Sequence, residues 1–217
     1  MCLSEAKGMD IFMKKLLALS ILSGFLLIGC STEEPAEEKP VIYLYPETTQ
    51  EIEVKLDYVG ELICTYPEYI DGWRVVAQPN GTLIDDTTGK EYSYLFWEGK
   101  SDIEYDLSTG YVISGNDTAE FLEMKLNELG LNKKEANEFI VYWLPRMQKN
   151  KYNLISFQNE LYTNSAKLDI IPNPDSILRV FMVYKALDKK IEIEEPVIEP
   201  FERNGFTVIE WGGTEIK

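Results

Sequence analysis

The chain has 217 residues, a formal net charge of −16, three cysteines and no histidine. Without histidine there is no Ser-His-Asp or Cys-His nucleophile pair, no imidazole metal site and no near-neutral imidazole base. The acidic balance argues against nucleic acid and against electrostatic adhesion to anionic lipid, while 45% hydrophobic and 12% aromatic residues imply a folded core.

At the N-terminus, Lys14 and Lys15 precede Leu16 to Ile28, a 13-residue run of apolar and small residues. That run is short for a hydrocarbon core of ~30 Å and has the length of a signal-peptide h-region. It ends in Leu27-Ile28-Gly29-Cys30, which resembles the lipobox of bacterial lipoproteins. The resemblance implies removal of residues 1–29 and a diacylglyceryl group on the Cys30 sulfur. Two acyl chains of the palmitate kind, at ~0.8 kcal/mol per buried methylene, hold a protein stably where one would not. The expected location is the extracytoplasmic face of the cell membrane, with the lipid on Cys30 as the membrane contact.

Residues 30–39 read as the lipidated cysteine and an acidic flexible tether, Ser31 to Lys39 lacking large apolar side chains. The remainder, 40–217, is expected to be a single domain. Cys64 is the only cysteine left in it, so no internal disulfide can form. Its apolar setting, Glu61 to Tyr66, predicts a buried inert thiol rather than a nucleophile.

The first half reads as strands. Val41 to Tyr45 is compact and apolar, and Ile52, Val54 and Leu56 alternate with Glu53, Lys55 and Asp57. Leu62 to Tyr66 follows. Trp73 to Ala77 and Thr82 to Ile84 flank Pro79-Asn80-Gly81, a hairpin signal. Glu91 to Trp97 is a further aromatic-rich strand.

The period then changes. Asp117 to Glu120 and Asn132 to Glu135 have capping-box spacing, Gly130 is placed as a stop, and Pro145 is expected to end the second helix. Phe121, Leu122, Leu126 and Leu129 share one face. Ala136, Phe139, Ile140 and Trp143 share another, which predicts an αα-hairpin over about 118–144. Strands resume at Leu154 to Phe157, Leu178 to Tyr184 and Phe206 to Trp211. The expected fold is α+β: a mostly antiparallel β-sandwich or open barrel with one inserted αα-hairpin.

Chemistry is thinly marked. Asp102 to Gly110 places oxygen ligands at alternate positions, but Leu107 stands where a calcium loop needs glycine and Ile113 where it needs a bidentate glutamate. No glycine-rich phosphate loop is present, so no nucleotide, metal or other cofactor is expected. Glu98 beside Trp97, Glu210 beside Trp211, and Asp71 two residues before Trp73 are the candidate catalytic carboxylates, because paired acids against an aromatic wall hydrolyse glycosides. The bland alternative is that they are strand-end carboxylates. Trp73, Trp97 and Trp211 are candidates for a ligand-binding platform or for plugs at a sandwich rim. Arg146, one of four arginines, is a candidate to orient an anionic ligand or to form a structural ion pair.

Four blocks together, Lys39-Pro-Val-Ile-Tyr-Leu-Tyr-Pro46, Tyr92 to Glu98, Phe139 to Arg146 and Gly205 to Gly213, resemble a group of uncharacterised bacterial proteins, many of them lipoproteins. The resemblance spans nearly all of 40–217 and carries no activity. The expected function is a lipid-anchored domain that binds a glycan or protein ligand without catalysis. A cell-wall or polysaccharide hydrolase and a structural envelope component are the alternatives.

Overall fold

The computed structural model describes residues 36–158 and 160–217. The leader at 1–29, Cys30 and tether residues 31–35 lie outside the described residues.

Seven strands form one sheet in the order β3-β7-β1-β12-β11-β9-β8. They are β1 (Ala36–Tyr45), β3 (Glu61–Tyr66), β7 (Leu95–Lys100), β8 (Tyr111–Ser114), β9 (Tyr152–Gln158), β11 (Ser176–Leu187) and β12 (Thr207–Ile216). Five strands form a second sheet, β10-β2-β4-β5-β6. These are β2 (Gln50–Tyr58), β4 (Trp73–Ala77), β5 (Leu83–Asp85), β6 (Glu91–Tyr92) and β10 (Ala166–Ile171). The fold is an α+β sandwich, as expected, and neither sheet closes into a barrel.

Strand alternation sets three layers. Ile42, Leu44, Leu95, Trp97 and Val208 meet Ile52, Val54, Trp73 and Val75 of the second sheet. The intervening residues Val41, Tyr43, Ile209 and Trp211 point the other way, onto helices α1 (Thr118–Glu128) and α2 (Lys133–Met147). The hairpin therefore covers the outer face of the larger sheet. A third, short helix, α3 (Glu160–Ser165), inserts Tyr162 between the sheets.

Several local expectations change. β1 begins at Ala36, pairing Ala36 with Lys100 and Glu38 with Gly213. Residues 36–39 therefore belong to β1 rather than to a tether: the ladders to β7 and β12 hold Ala36, Glu37 and Glu38, and Lys39 follows in a bulge before pairing resumes at Val41. Glu91 to Trp97 is not one strand, because the chain leaves the small sheet after Tyr92 and joins the large one at Leu95. Asp117 does not cap α1. A 3-10 turn over Gly115–Asp117 precedes the helix, and the Asp117 carboxylate accepts from Ser114 Oγ at 2.7 Å. Pro145 does not end α2, which continues to Met147. Pro145 lacks the N–H that would bond the Val141 carbonyl four residues back, and Val141 is 74% exposed, so water can serve that oxygen.

The Asn132–Glu135 capping box forms as the spacing predicts, Glu135 N donating to Asn132 Oδ1 at 3.0 Å and Asn132 N to Glu135 Oε2 at 2.8 Å. Gly130 closes α1 with φ +102°, a conformation that favours glycine. The turn at Asn80-Gly81 joins β4 to β5.

All named strand pairs are antiparallel except β11–β12. Joining parallel neighbours requires a crossover. Residues 188–206 supply it, running along the helical side. Tyr111 Oη donates to the Pro196 carbonyl at 3.0 Å, Ile198 and Phe201 pack against the helical core, and Arg203 pairs with buried Glu135. Among the described residues, no helix is long and apolar enough to cross a membrane.

Candidate functional site

The blocks Lys39–Pro46, Phe139–Arg146 and Gly205–Gly213 fall mainly on β1, α2 and β12, and Tyr92–Glu98 runs from the end of β6 into β7. On the helical side of β7-β1-β12 they build an aromatic cage. The Lys39 ammonium lies 5.9 Å from the Tyr94 ring centroid, 5.3 Å from Tyr142 and 5.9 Å from Trp211. Each contact is attractive through the ring quadrupole, worth roughly 0.5–1 kcal/mol in the open and about 2 when desolvated.

Each wall has a local cause. Tyr94 stands at the crossing from the small sheet to the large one. Tyr142 projects from α2 one turn after Glu138, and Trp211 comes from β12 opposite Val41 of β1. Below them Tyr43, fully buried, meets Tyr94 edge-on at 5.4 Å and donates its hydroxyl to Glu138 Oε2 at 2.5 Å. Burial, reinforced by the Glu138 carboxylate, raises the Tyr43 phenol far above its ordinary range, so it remains a donor. The same two causes raise Tyr94.

Lys39 reaches the cage by an unusual route. Its φ is +52°, a left-handed conformation rare outside glycine, and it sits in a bulge. Pairing to β12 breaks between Glu38 and Val41, and pairing to β7 between Glu37 and Val41.

Arg146 stacks its guanidinium 4.5 Å from the Tyr142 centroid and 5.3 Å from Trp143, and donates to Tyr142 Oη at 3.1 Å. It thus supports the outer wall of the cage.

The candidate carboxylates are not brought together. Glu210 is fully buried between the sheets, where it takes Arg179 Nε at 2.5 Å and Trp97 Nε1 at 3.1 Å. Glu98 follows Trp97 on β7 and therefore points to the opposite face of the sheet. Asp71 lies in an exposed turn between β3 and β4, at φ +57°. Strand alternation puts the sheet between Glu98 and Glu210, so these two carboxylates do not face one cleft.

Trp73, Trp97 and Trp211 make no exposed platform: each is at most 2% exposed. Gly72 precedes Trp73 at the start of β4, whereas Gly99 and Gly213 lie inside β7 and β12. Gly99 and Gly213 are close-approach positions, where a Cβ would meet Tyr58 and the Met182 carbonyl respectively. Cys64 is exposed rather than buried, because β3 is the edge of the large sheet and has β7 alone beside it.

Asp106 turns both carboxylate oxygens to Ser108, which donates from N and Oγ at 2.8 Å each and holds the acid below its ordinary range. Among the described residues, no group of three or more His, Cys, Asp or Glu side chains could hold a metal ion.

Sequence reasoning missed Lys39, Tyr43, Tyr94, Glu138 and Tyr142. A signal existed in part: Tyr43 and Tyr45 share a strand face, and Glu138 and Tyr142 share a helix face at i, i+4. Lys39 was hidden by its acidic neighbours.

No protein-family model matches the chain, and no solved structure does. A protein of Butyrivibrio fibrisolvens, described as an uncharacterized protein in the bglA 3' region, is 44% identical over 80 residues, which is 34% of this chain and 81% of that protein.

Proposed function

The chain belongs to the family of that Butyrivibrio fibrisolvens protein, and from this premise we propose that it is a lipid-anchored, extracytoplasmic binding module that performs no chemistry itself. The observation that carries the reading is the aromatic cage: three rings from three elements converge on one cation, with a carboxylate on the adjoining Tyr43 hydroxyl. Such a site recognises without reacting.

The lipobox-like Leu27-Ile28-Gly29-Cys30 supports the anchor. The net charge of −16 supports a domain held soluble above an anionic membrane. The separation of Glu98 from Glu210 argues against the carboxylate-pair hydrolase.

The test uses the full chain in detergent, applied to an array of glycans and peptidoglycan fragments, with release of soluble products scored in the same wells. Binding without turnover is the expected result. Turnover abolished by Glu98→Gln would overturn the proposal in favour of an enzyme, and silence on both counts would overturn the envelope-glycan form of it. The anchor is tested by metabolic labelling with a palmitate analogue, which Cys30→Ala should abolish.

A further inference from the structure

We propose that the pocket filled by the Lys39 side chain is a recognition site for a primary alkylammonium group presented by another molecule, and that Lys39 is its built-in competitor. This rests on the reading of the domain as a binding module and adds the chemical class of its ligand.

The occupant is the template. A primary ammonium on a four-carbon stem sits within 6 Å of the Tyr94, Tyr142 and Trp211 centroids. The three rings are supplied by a strand crossing, a helix and a central strand, and contacts other than those with Lys39 hold them. Trp211 and Tyr43 are held by the core, Trp211 against Phe139 at 5.3 Å and Tyr43 through Glu138. Arg146 fixes Tyr142 from its far side.

Lys39, by contrast, is positioned to leave. It lies within the bulge, where neither ladder of β1 has a pair, so withdrawing its side chain breaks no named strand pairing. Its left-handed φ is relieved if the residue relaxes. The acidic charge of the chain concentrates organic cations near the surface.

An intramolecular competitor lowers apparent affinity by the fraction of time that the site is open. The unaltered chain is therefore a weak binder, and freeing Lys39 makes it a stronger one. Two sources share the required chemistry: a lysine-like side chain on a peptide and a free diamine.

The experiment titrates n-butylammonium chloride, and 1-butanol as the uncharged control of similar shape, into the full chain and its Lys39→Ala variant by calorimetry. The variant should bind n-butylammonium at least tenfold more tightly than 1-butanol and at least tenfold more tightly than the unaltered chain does. Adding Tyr142→Leu should remove that selectivity. Cadaverine against Nα-acetyl-lysinamide then separates the two sources by preference.

A folded Lys39→Ala variant that takes both probes equally, or neither, overturns the inference. If that variant does not fold, the unaltered chain decides. In that case n-butylammonium must shift the Trp211 indole resonance saturably, the peak being identified by its loss in Trp211→Phe, and no saturable shift overturns the inference. Array binding by the unaltered chain alongside an indifferent Lys39→Ala variant sinks the ammonium site while leaving the binding module intact.

Discussion

Arg179 and Glu210 stand directly opposite each other on the parallel strands β11 and β12, Nε to Oε2 2.5 Å, with side chains only 7% and 0% exposed. Trp97 Nε1 donates to the second oxygen, and the guanidinium lies 4.7 Å from the Tyr162 ring. Both charges have been taken from water, and each is tolerable only while the other is present. Glu210→Gln should therefore cost about 3–5 kcal/mol, read as a lowered urea midpoint. Arg179→Met combined with Glu210→Leu should recover most of that loss. A Glu210→Gln penalty below about 1 kcal/mol would mean that water reaches the pair.

A second prediction concerns the tie between the crossover and the hairpin. Arg203 pairs with fully buried Glu135 and donates to the Gly130 carbonyl at 3.0 Å. Asn132→Ala removes one cap partner and should cost about 1 kcal/mol. Arg203→Ala strands a buried carboxylate and should cost more, about 2–4 kcal/mol. Equal effects in thermal unfolding would contradict this ordering.

Alkaline titration gives a third. Burial, chiefly, lifts the phenols of Tyr43, Tyr45 and Tyr162 above their unfolded value. In the unfolded chain these groups lose protons near pH 10, while in the native chain they keep them. The folded state then binds more protons, so stability is complete below about pH 10 and falls as pH rises beyond it. Tyrosinate absorbance should show these three of the 13 tyrosines titrating only together with unfolding. Smooth titration of all 13 in the folded protein would refute it.

Cys64 supplies the fourth. As an exposed thiol on the edge strand, it should react completely with a colorimetric thiol reagent in native buffer. Reaction only after adding denaturant would show that the edge is covered.

The sequence makes the layers legible because period is local. The alternation in Gln50–Tyr58 and the 3.6 spacing in Lys133–Met147 each declare their own dry face. β10 carried the same alternation, Ala166, Leu168 and Ile170 against Lys167 and Asp169, but was not among the strands expected from sequence. What was not readable is pairing. Nothing local says that β11 lies parallel to β12, that β3 is an edge, or that Glu98 and Glu210 lie on opposite sides of one sheet. The cage was hidden for the same reason, since its walls come from segments up to 172 residues apart, Lys39 and Trp211, joined by register alone.

Because β1 takes up the chain at Ala36 and lies between β7 and β12, any pull arriving from the N-terminal side enters the large sheet through an interior strand. Tension along that strand loads two antiparallel ladders lengthwise, so their hydrogen bonds share the force instead of opening one after another. The bulge at Lys39 is the first slack in that line. Once the pairs at Ala36, Glu37 and Glu38 yield, the bulge extends before the pairs from Val41 to Tyr45 are disturbed, which makes this first stretch of β1 a mechanical fuse for the sheet behind it.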